Sequence, residues 1–315
     1  MHARLIFLIL ALFLCMPRLP DTLAADQGRF FLMGSGELHL KNHRNQREAR
    51  VQLLHPDGSL NQEALGRVDW VFGFPTNEKG EHISPRMLCM LSYFADLLAP
   101  GKTIQIESAY RSPEYNEQIR AMGNNAARTS THLDGLALDF WLEGVDGKKI
   151  WETIRSYNCG GIGHYGGRTV HFDAGRPRFW EAATSGTRSP EPDRNRHLYL
   201  STNFDRYRAG EPLRLSLSSL SSFAFGVRPE ITLFATDAPT APRRLPGMPV
   251  ATVRLHGAGA DQLCLPIGNR KASRFLHITL PADLPPGRYS AGLRFCDKPF
   301  SEMPDQSFSN PFEVR

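Results

Sequence analysis

The sequence predicts an α+β domain followed by an all-β domain, and three observations carry that division. Up to residue 182, apolar runs at helical spacing alternate with short strand-like runs, the mixed pattern of an α+β layer architecture. Residues 183–196, ATSGTRSPEPDRNR, concentrate Pro, Ser, Gly and charge without apolar periodicity, and read as a linker. From 197 to 315, short alternating runs separated by Pro and Gly clusters read as a β-sandwich. A chain of 315 residues is long enough for two ordinary domains.

The elements follow in order. Residues 1–25 read as a signal peptide: Arg4 precedes the apolar run LIFLILALFLCM, and DTLAAD offers small residues for cleavage after Ala24 or Ala25. An uncleaved membrane anchor is the alternative. The first domain then spans 26–182. RFFLMGSGELHLKN predicts a hairpin turning at its Ser-Gly pair. ISPRMLCMLSYFADLL predicts a helix, with Ser84 as cap and Pro85 as first helical residue. TIQIESAY is a strand entering a turn, and SPEYNEQIRAM opens a helix capped by Ser112. ALDFWL and TVHFD are strands, with the helix KKIWETIRSYN between them. The second domain shows strand-like HLYLST, EPLRLSLSSL, ITLFAT, ATVRLH, RFLHITL and GRYSAGLRF, and its strand openings resemble those of bacterial immunoglobulin-like domains.

Charge and cysteines narrow the setting. The net charge is +5. Without a basic helix or basic–aromatic alternation, that suits an anionic envelope and argues against nucleic acid. Export would leave Cys89, Cys159, Cys264 and Cys296 in an oxidising compartment. Cys264 with Cys296 is the simplest pairing and Cys89 with Cys159 its complement; free buried thiols are the other reading. No CxxC occurs, which excludes the usual thiol metal or redox site.

The chemistry concentrates in two strings, TSTHLDGLALDF (129–140) and GGIGHYGGRTVHFDAG (160–175). His132, Asp139 and His171 supply two imidazoles and a carboxylate, the ligand set of a catalytic zinc site with one open position. Along a strand alternate residues share a face, so Ala137 pairs with Asp139, and His171 with Asp173. If the two strands are neighbours, Asp139, His171 and Asp173 converge, with His132 entering from a loop that Gly135 lets turn tightly. The implied reaction class is metal-assisted hydrolysis. Gly161, Gly163 and Gly166 fit a dinucleotide fingerprint, but the strand-like GRTVHFD follows where a helix is required. Asp134 and Glu143 read as solvated turn residues.

HLDGLALD resembles the H-x-x-G-x-A-x-D motif of the zinc D-Ala-D-Ala peptidase family, within the hedgehog and lysostaphin-type superfamily. SAYRSPEYN and GIGHYGGRTVHFD resemble that family's other two motifs, in the right order, and the murein endopeptidase K-like branch fits best. The resemblance covers about residues 28–176 and implies a hedgehog/D-Ala-D-Ala-peptidase-like zinc domain. It implies His132, Asp139 and His171 as Zn2+ ligands and Arg111 facing the substrate peptide, as a carboxylate fork or oxyanion stabiliser. It also implies Ser130 and Tyr165 on the substrate side. A surface or helix-start role is the other reading of Arg111.

Relatives often place a general base shortly before the last histidine, but here Arg168, Thr169 and Val170 precede His171. Asp173 and His164 are the remaining candidates, and Asp173 would equally serve to accept a hydrogen bond from a ligand imidazole. The expectation is an exported periplasmic or envelope peptidase acting on peptidoglycan peptides, with the sandwich facing the wall or a protein partner. Two alternatives stay open: a zinc-containing wall-binding module without catalysis, and hydrolysis of a peptide or amide outside the wall.

Overall fold

The computed structural model describes residues 28–122, 126–184, 193–236 and 247–315. The signal segment and most of the linker lie outside the described residues. The first domain runs β1 (Glu37–Asn42), β2 (Glu48–Gln52), α1 (Gln62–Phe72), α2 (Thr76–Lys79), α3 (Pro85–Leu98), β3 (Ile104–Ser108), α4 (Pro113–Ala121), β4 (Ala137–Leu142), α5 (Gly147–Tyr157), β5 (Gly161–His164), β6 (Val170–Asp173) and β7 (Arg178–Glu181). Its seven strands form one mixed sheet in the order β2-β1-β3-β4-β6-β5-β7.

Local chemistry sets the helix starts. Ser84 accepts from Met87 N and Ser112 from Tyr115 N, each followed by a proline whose missing N–H costs nothing there. Asp146 caps α5 through Lys148 N and Lys149 N. Helix α3 buries Met87, Leu88, Leu91 and Phe94 against the sheet residues Leu38, Ile106, Phe140 and Phe172 in one core. The N-terminal hairpin differs from expectation: Gly34 and Gly36 have φ of 60° and 76° and make a turn that leads into β1. The hairpin is formed one element later, between β1 and β2.

The second region runs β8 (Tyr199–Thr202), β9 (Arg206–Tyr207), β10 (Pro212–Ser218), β11 (Phe225–Ala235), β12 (Pro249–Arg254), β13 (Leu265–Ile267), β14 (Leu276–Thr279), β15 (Gly287–Asp297), β16 (Gln306–Phe308) and β17 (Phe312–Val314). A three-stranded sheet β14-β10-β8 and a larger sheet β12-β11-β15-β17-β9 share a second core that includes Leu213, Leu215, Ile231, Leu233, Leu293 and Phe312. The chain is thus an α+β domain followed by a β-rich region. Cys264 and Cys296 form a disulfide, whereas Cys89 and Cys159 are free, and burial pushes both thiols up to about 12. No helix among the described residues is long and apolar enough to cross a membrane.

The two cores meet across charged contacts. Arg86 of α3 pairs with Asp205 at 2.6 Å and donates to Thr202 O and Phe204 O. Arg274 pairs with Glu81 at 2.8 Å, both nearly buried. Asp134 is 1% exposed, bound by Arg270 and by Ser219 N at 3.2 Å. Its expected role as a solvated turn residue is therefore corrected: it joins the His132 loop to the β-rich region.

Candidate metal centre

Strands β4 and β6 are antiparallel neighbours, with Asp139 opposite His171 and Ala137 opposite Asp173. One face of this pair therefore carries both strand-borne ligands side by side. His132 arrives from the preceding turn, where Leu133 N bonds Ser130 O and Leu136 N bonds Thr131 O. Gly135 closes that turn at φ 65°, and a Cβ there would stand 2.7 Å from the Phe74 ring. Both facts require glycine.

The three side chains converge. His132 Nε2 lies 3.2 Å from His171 Nδ1 and 3.3 Å from Asp139 Oδ1, and His171 Nδ1 lies 3.0 Å from that same oxygen. The opposite nitrogen of each ring is engaged: His132 Nδ1 meets Ala109 O at 2.6 Å, and His171 Nε2 meets Asp173 Oδ2 at 2.7 Å. A carbonyl and a carboxylate only accept, so those nitrogens carry the protons. In neutral rings, two nitrogen lone pairs and a carboxylate oxygen then face one another, an arrangement that a cation relieves. Ligands held tetrahedrally at about 2.0–2.1 Å from zinc stand about 3.3 Å apart, which is the spacing found. The donor set fits zinc.

Electrostatics agree with that reading. Burial lowers the His132 pKa despite Asp139, which favours the neutral ligand form. Burial alone would raise Asp139, but His132 and His171 outweigh it and hold the carboxyl well below its ordinary range. Burial also opposes charge on His171, yet hydrogen bonds to Asp139 and Asp173 give a net upward shift.

The surrounding residues divide by position. Arg111 donates from Nη2 to Asp139 Oδ2 at 2.8 Å and from Nε to Ser108 at 3.0 Å, so two of its five N–H groups are used inside the protein. Tyr165 donates to Asp139 Oδ1 at 2.9 Å; burial of its hydroxyl, then Asp139, raises its pKa and keeps it a donor. Asp173 lies across the His171 ring from the other ligands and is fully buried. It accepts from His171, from Arg178 at 2.7 and 3.1 Å, from Thr131 at 3.2 Å and from Gly175 N at 2.8 Å. Its bond to His171 Nε2 fixes the orientation of that ring.

His164 is corrected outright. Its strand pairs Gly163 with His171 and His164 with Val170, so alternation sends the His164 side chain to the face opposite the ligands. There it meets Gly167 O at 3.1 Å.

A cleft of about 220 Å³ opens beside the ligands, lined by Ser130, Thr131, Tyr165, Arg178 and Trp180 among others. Trp180 packs over Gly163, where a Cβ would fall 2.1 Å from the indole. Sequence reasoning did not single out Thr131, Arg178 or Trp180. Thr131 lies in the first motif string beside His132; for Arg178 and Trp180 the one signal was the nearness of GRPRFW to HFD, because their positions depend on how β7 folds back beside β5.

Residues 33–180 match the family described as peptidoglycan L,D-endopeptidase MepK. The peptidoglycan L,D-endopeptidases MepK of Escherichia coli (strain K12) and Shigella flexneri are each 33% identical over 120 residues, 38% of this chain and 66% of the relative. The probable peptidoglycan L,D-endopeptidase MepK of Haemophilus influenzae is 33% identical over 79 residues, 25% of this chain and 42% of that protein. The chain thus spans just under two thirds of the length of the first of these relatives.

Proposed function

We propose, from the match of residues 33–180 to the family described as peptidoglycan L,D-endopeptidase MepK, that this chain is a zinc-dependent peptidase that hydrolyses peptide bonds in peptidoglycan stem peptides or crosslinks. The observation that carries the reading is the meeting of His132 Nε2, Asp139 Oδ1 and His171 Nδ1 within 3.3 Å of one another beside an open cleft.

In this reading those three atoms hold the ion. Zinc, when bound, supplies Lewis-acid activation of water and polarisation of the scissile carbonyl. Ala109 O and Asp173 fix the ligand tautomers, so both imidazoles offer lone pairs to the metal. Arg111 positions Asp139 by holding its second oxygen. Tyr165, whose hydroxyl proton is held by Asp139, forms part of the substrate side of the cleft, and Ser130 lies on the cleft wall with it. Trp180 gives the cleft an apolar wall, which suits the aliphatic part of a peptide.

The remaining parts fit an envelope enzyme. Residues 1–25 would direct export to the periplasm, 26–182 would form the peptidase domain, and 183–196 the linker. Residues 197–315 would form an immunoglobulin-like sandwich that faces the wall or an envelope protein.

Muropeptide chromatography tests the reading. The purified protein should release new peptide ends from sacculi, and chelator should abolish them; no product with bound zinc refutes it. One observation favours a second reading, a zinc-containing wall-binding module. Among the described residues lining the cleft there is no glutamate, and Asp173 is fully engaged. That reading expects zinc and sacculus binding without product peaks.

A further inference from the structure

The β-rich region reaches into the cleft beside the metal centre. Among the lining residues, His197 and Ser219 come from outside the family-matched segment 33–180. His197 closes the turn before β8, and its side chain is 58% exposed. Its Nδ1 meets Asp193 Oδ2 at 2.6 Å. Since a carboxylate only accepts, Nδ1 carries the proton, and in the neutral ring Nε2 offers a lone pair.

The turn is tied to the segment 219–222, and that segment to the His132 loop, by hydrogen bonds. Asn195 is fully buried; its N donates to Ser221 Oγ at 2.8 Å, and its Oδ1 accepts from Ser221 N at 2.9 Å and Ser222 N at 3.1 Å. Ser219 N in turn donates to Asp134 Oδ2 at 3.2 Å, two residues from His132. Arg194, Asn195 and Ser219 all hold left-handed φ, at 57°, 59° and 60°. Asn195 takes that conformation readily, whereas Arg194 and Ser219 seldom do so without support from their surroundings.

We propose that His197 is a substrate-binding residue: the turn 193–197 forms a wall of the peptide cleft, and His197 Nε2 accepts a hydrogen bond from an N–H of the bound peptide. The proposal rests on the peptidase reading above. It makes the β-rich region part of the substrate site.

The test compares zinc-loaded full-length protein with its His197→Ala and His197→Phe variants on a soluble crosslinked muropeptide dimer, which presents both stem-peptide and crosslink bonds. Losing one neutral hydrogen bond should raise KM about 2- to 12-fold in both variants. The kcat, zinc content and melting temperature should stay unchanged. An unchanged KM in both variants, or wild-type KM recovered by Phe, overturns the proposal. Equilibrium binding of the same muropeptide, under conditions where no product accumulates, separates this from the activity itself. Binding weakened by both substitutions supports His197 even in a protein that forms no product, and equal binding overturns it. A wild-type protein that neither cleaves nor binds the muropeptide overturns the peptidase reading and this proposal together.

Discussion

Replacing Asp173 by Asn separates an orienting role from proton transfer. The carboxylate receives five hydrogen bonds, from His171, twice from Arg178, and from Thr131 and Gly175 N. Asn keeps one acceptor oxygen and turns an N–H2 group towards donors. Arg178 is 28% exposed, so water offsets part of its loss. The expected destabilisation is about 1–3 kcal/mol, and Tm falls by roughly 2–12 °C. The larger effect falls on the metal. An amide N–H facing His171 Nε2 favours the tautomer with its proton on Nδ1, the ligand atom. Loss of such an outer partner weakens zinc binding about 10- to 100-fold, or about 1.4–2.7 kcal/mol. Competition with a chromophoric chelator measures the affinity, and muropeptide hydrolysis at saturating zinc measures the chemistry. Activity restored by added zinc is the expected result. Wild-type zinc affinity with kcat down about 100-fold or more would make Asp173 the proton acceptor and refute the orienting argument.

Three further outcomes are expected. His171 has a raised pKa in the metal-free protein, and Asp139 and Asp173 have lowered ones. The carboxylates therefore stabilise the fold above about pH 4 and lose that contribution on acidification; the His171 contribution is full below about pH 6.5 and lost as pH rises through its folded value. Zinc needs His171 deprotonated, so its affinity should fall as pH drops, beginning above about 6.5; a flat affinity between pH 6 and 8 contradicts this. Gly163→Ala should cost about 1–3 kcal/mol and displace Trp180, read as a shifted tryptophan emission and reduced hydrolysis; unchanged values refute the close-contact argument. Arg86→Ala strips the charged partner from nearly buried Asp205, leaving it the hydrogen bonds from Phe31 N and Asn310 Nδ2, and should cost about 3 kcal/mol, splitting calorimetric unfolding into two transitions. A single transition at the wild-type temperature refutes the coupling.

The candidate ligand cluster was legible because its residues lie on strands and in a turn whose geometry follows from alternation. His132, Gly135, Asp139 and His171 keep their places from motif to structure, and the β4–β6 register brings the last two together. The helices at 85–98 and 113–121 were legible through their Ser-Pro starts. The first hairpin was misplaced because its Ser-Gly pair serves a turn against α3, where Gly36 N bonds Ser92 Oγ. His164 and Asp134 misled for one reason: their meaning lies in contacts distant in sequence. Facing direction on β5 depends on a register with β6, and Asp134 finds its partners in Ser219 and Arg270. Periodicity carries no information about such partners.

The bond between Ser219 and Asp134 also imposes an order in time. Synthesis completes the three ligands at His171, while the residues that hold Asp134 and frame the cleft follow later in the chain. A nascent or truncated polypeptide can thus own its metal ligands without owning a finished cleft. In the peptidase proposed here, a finished cleft would then wait on the β-rich region.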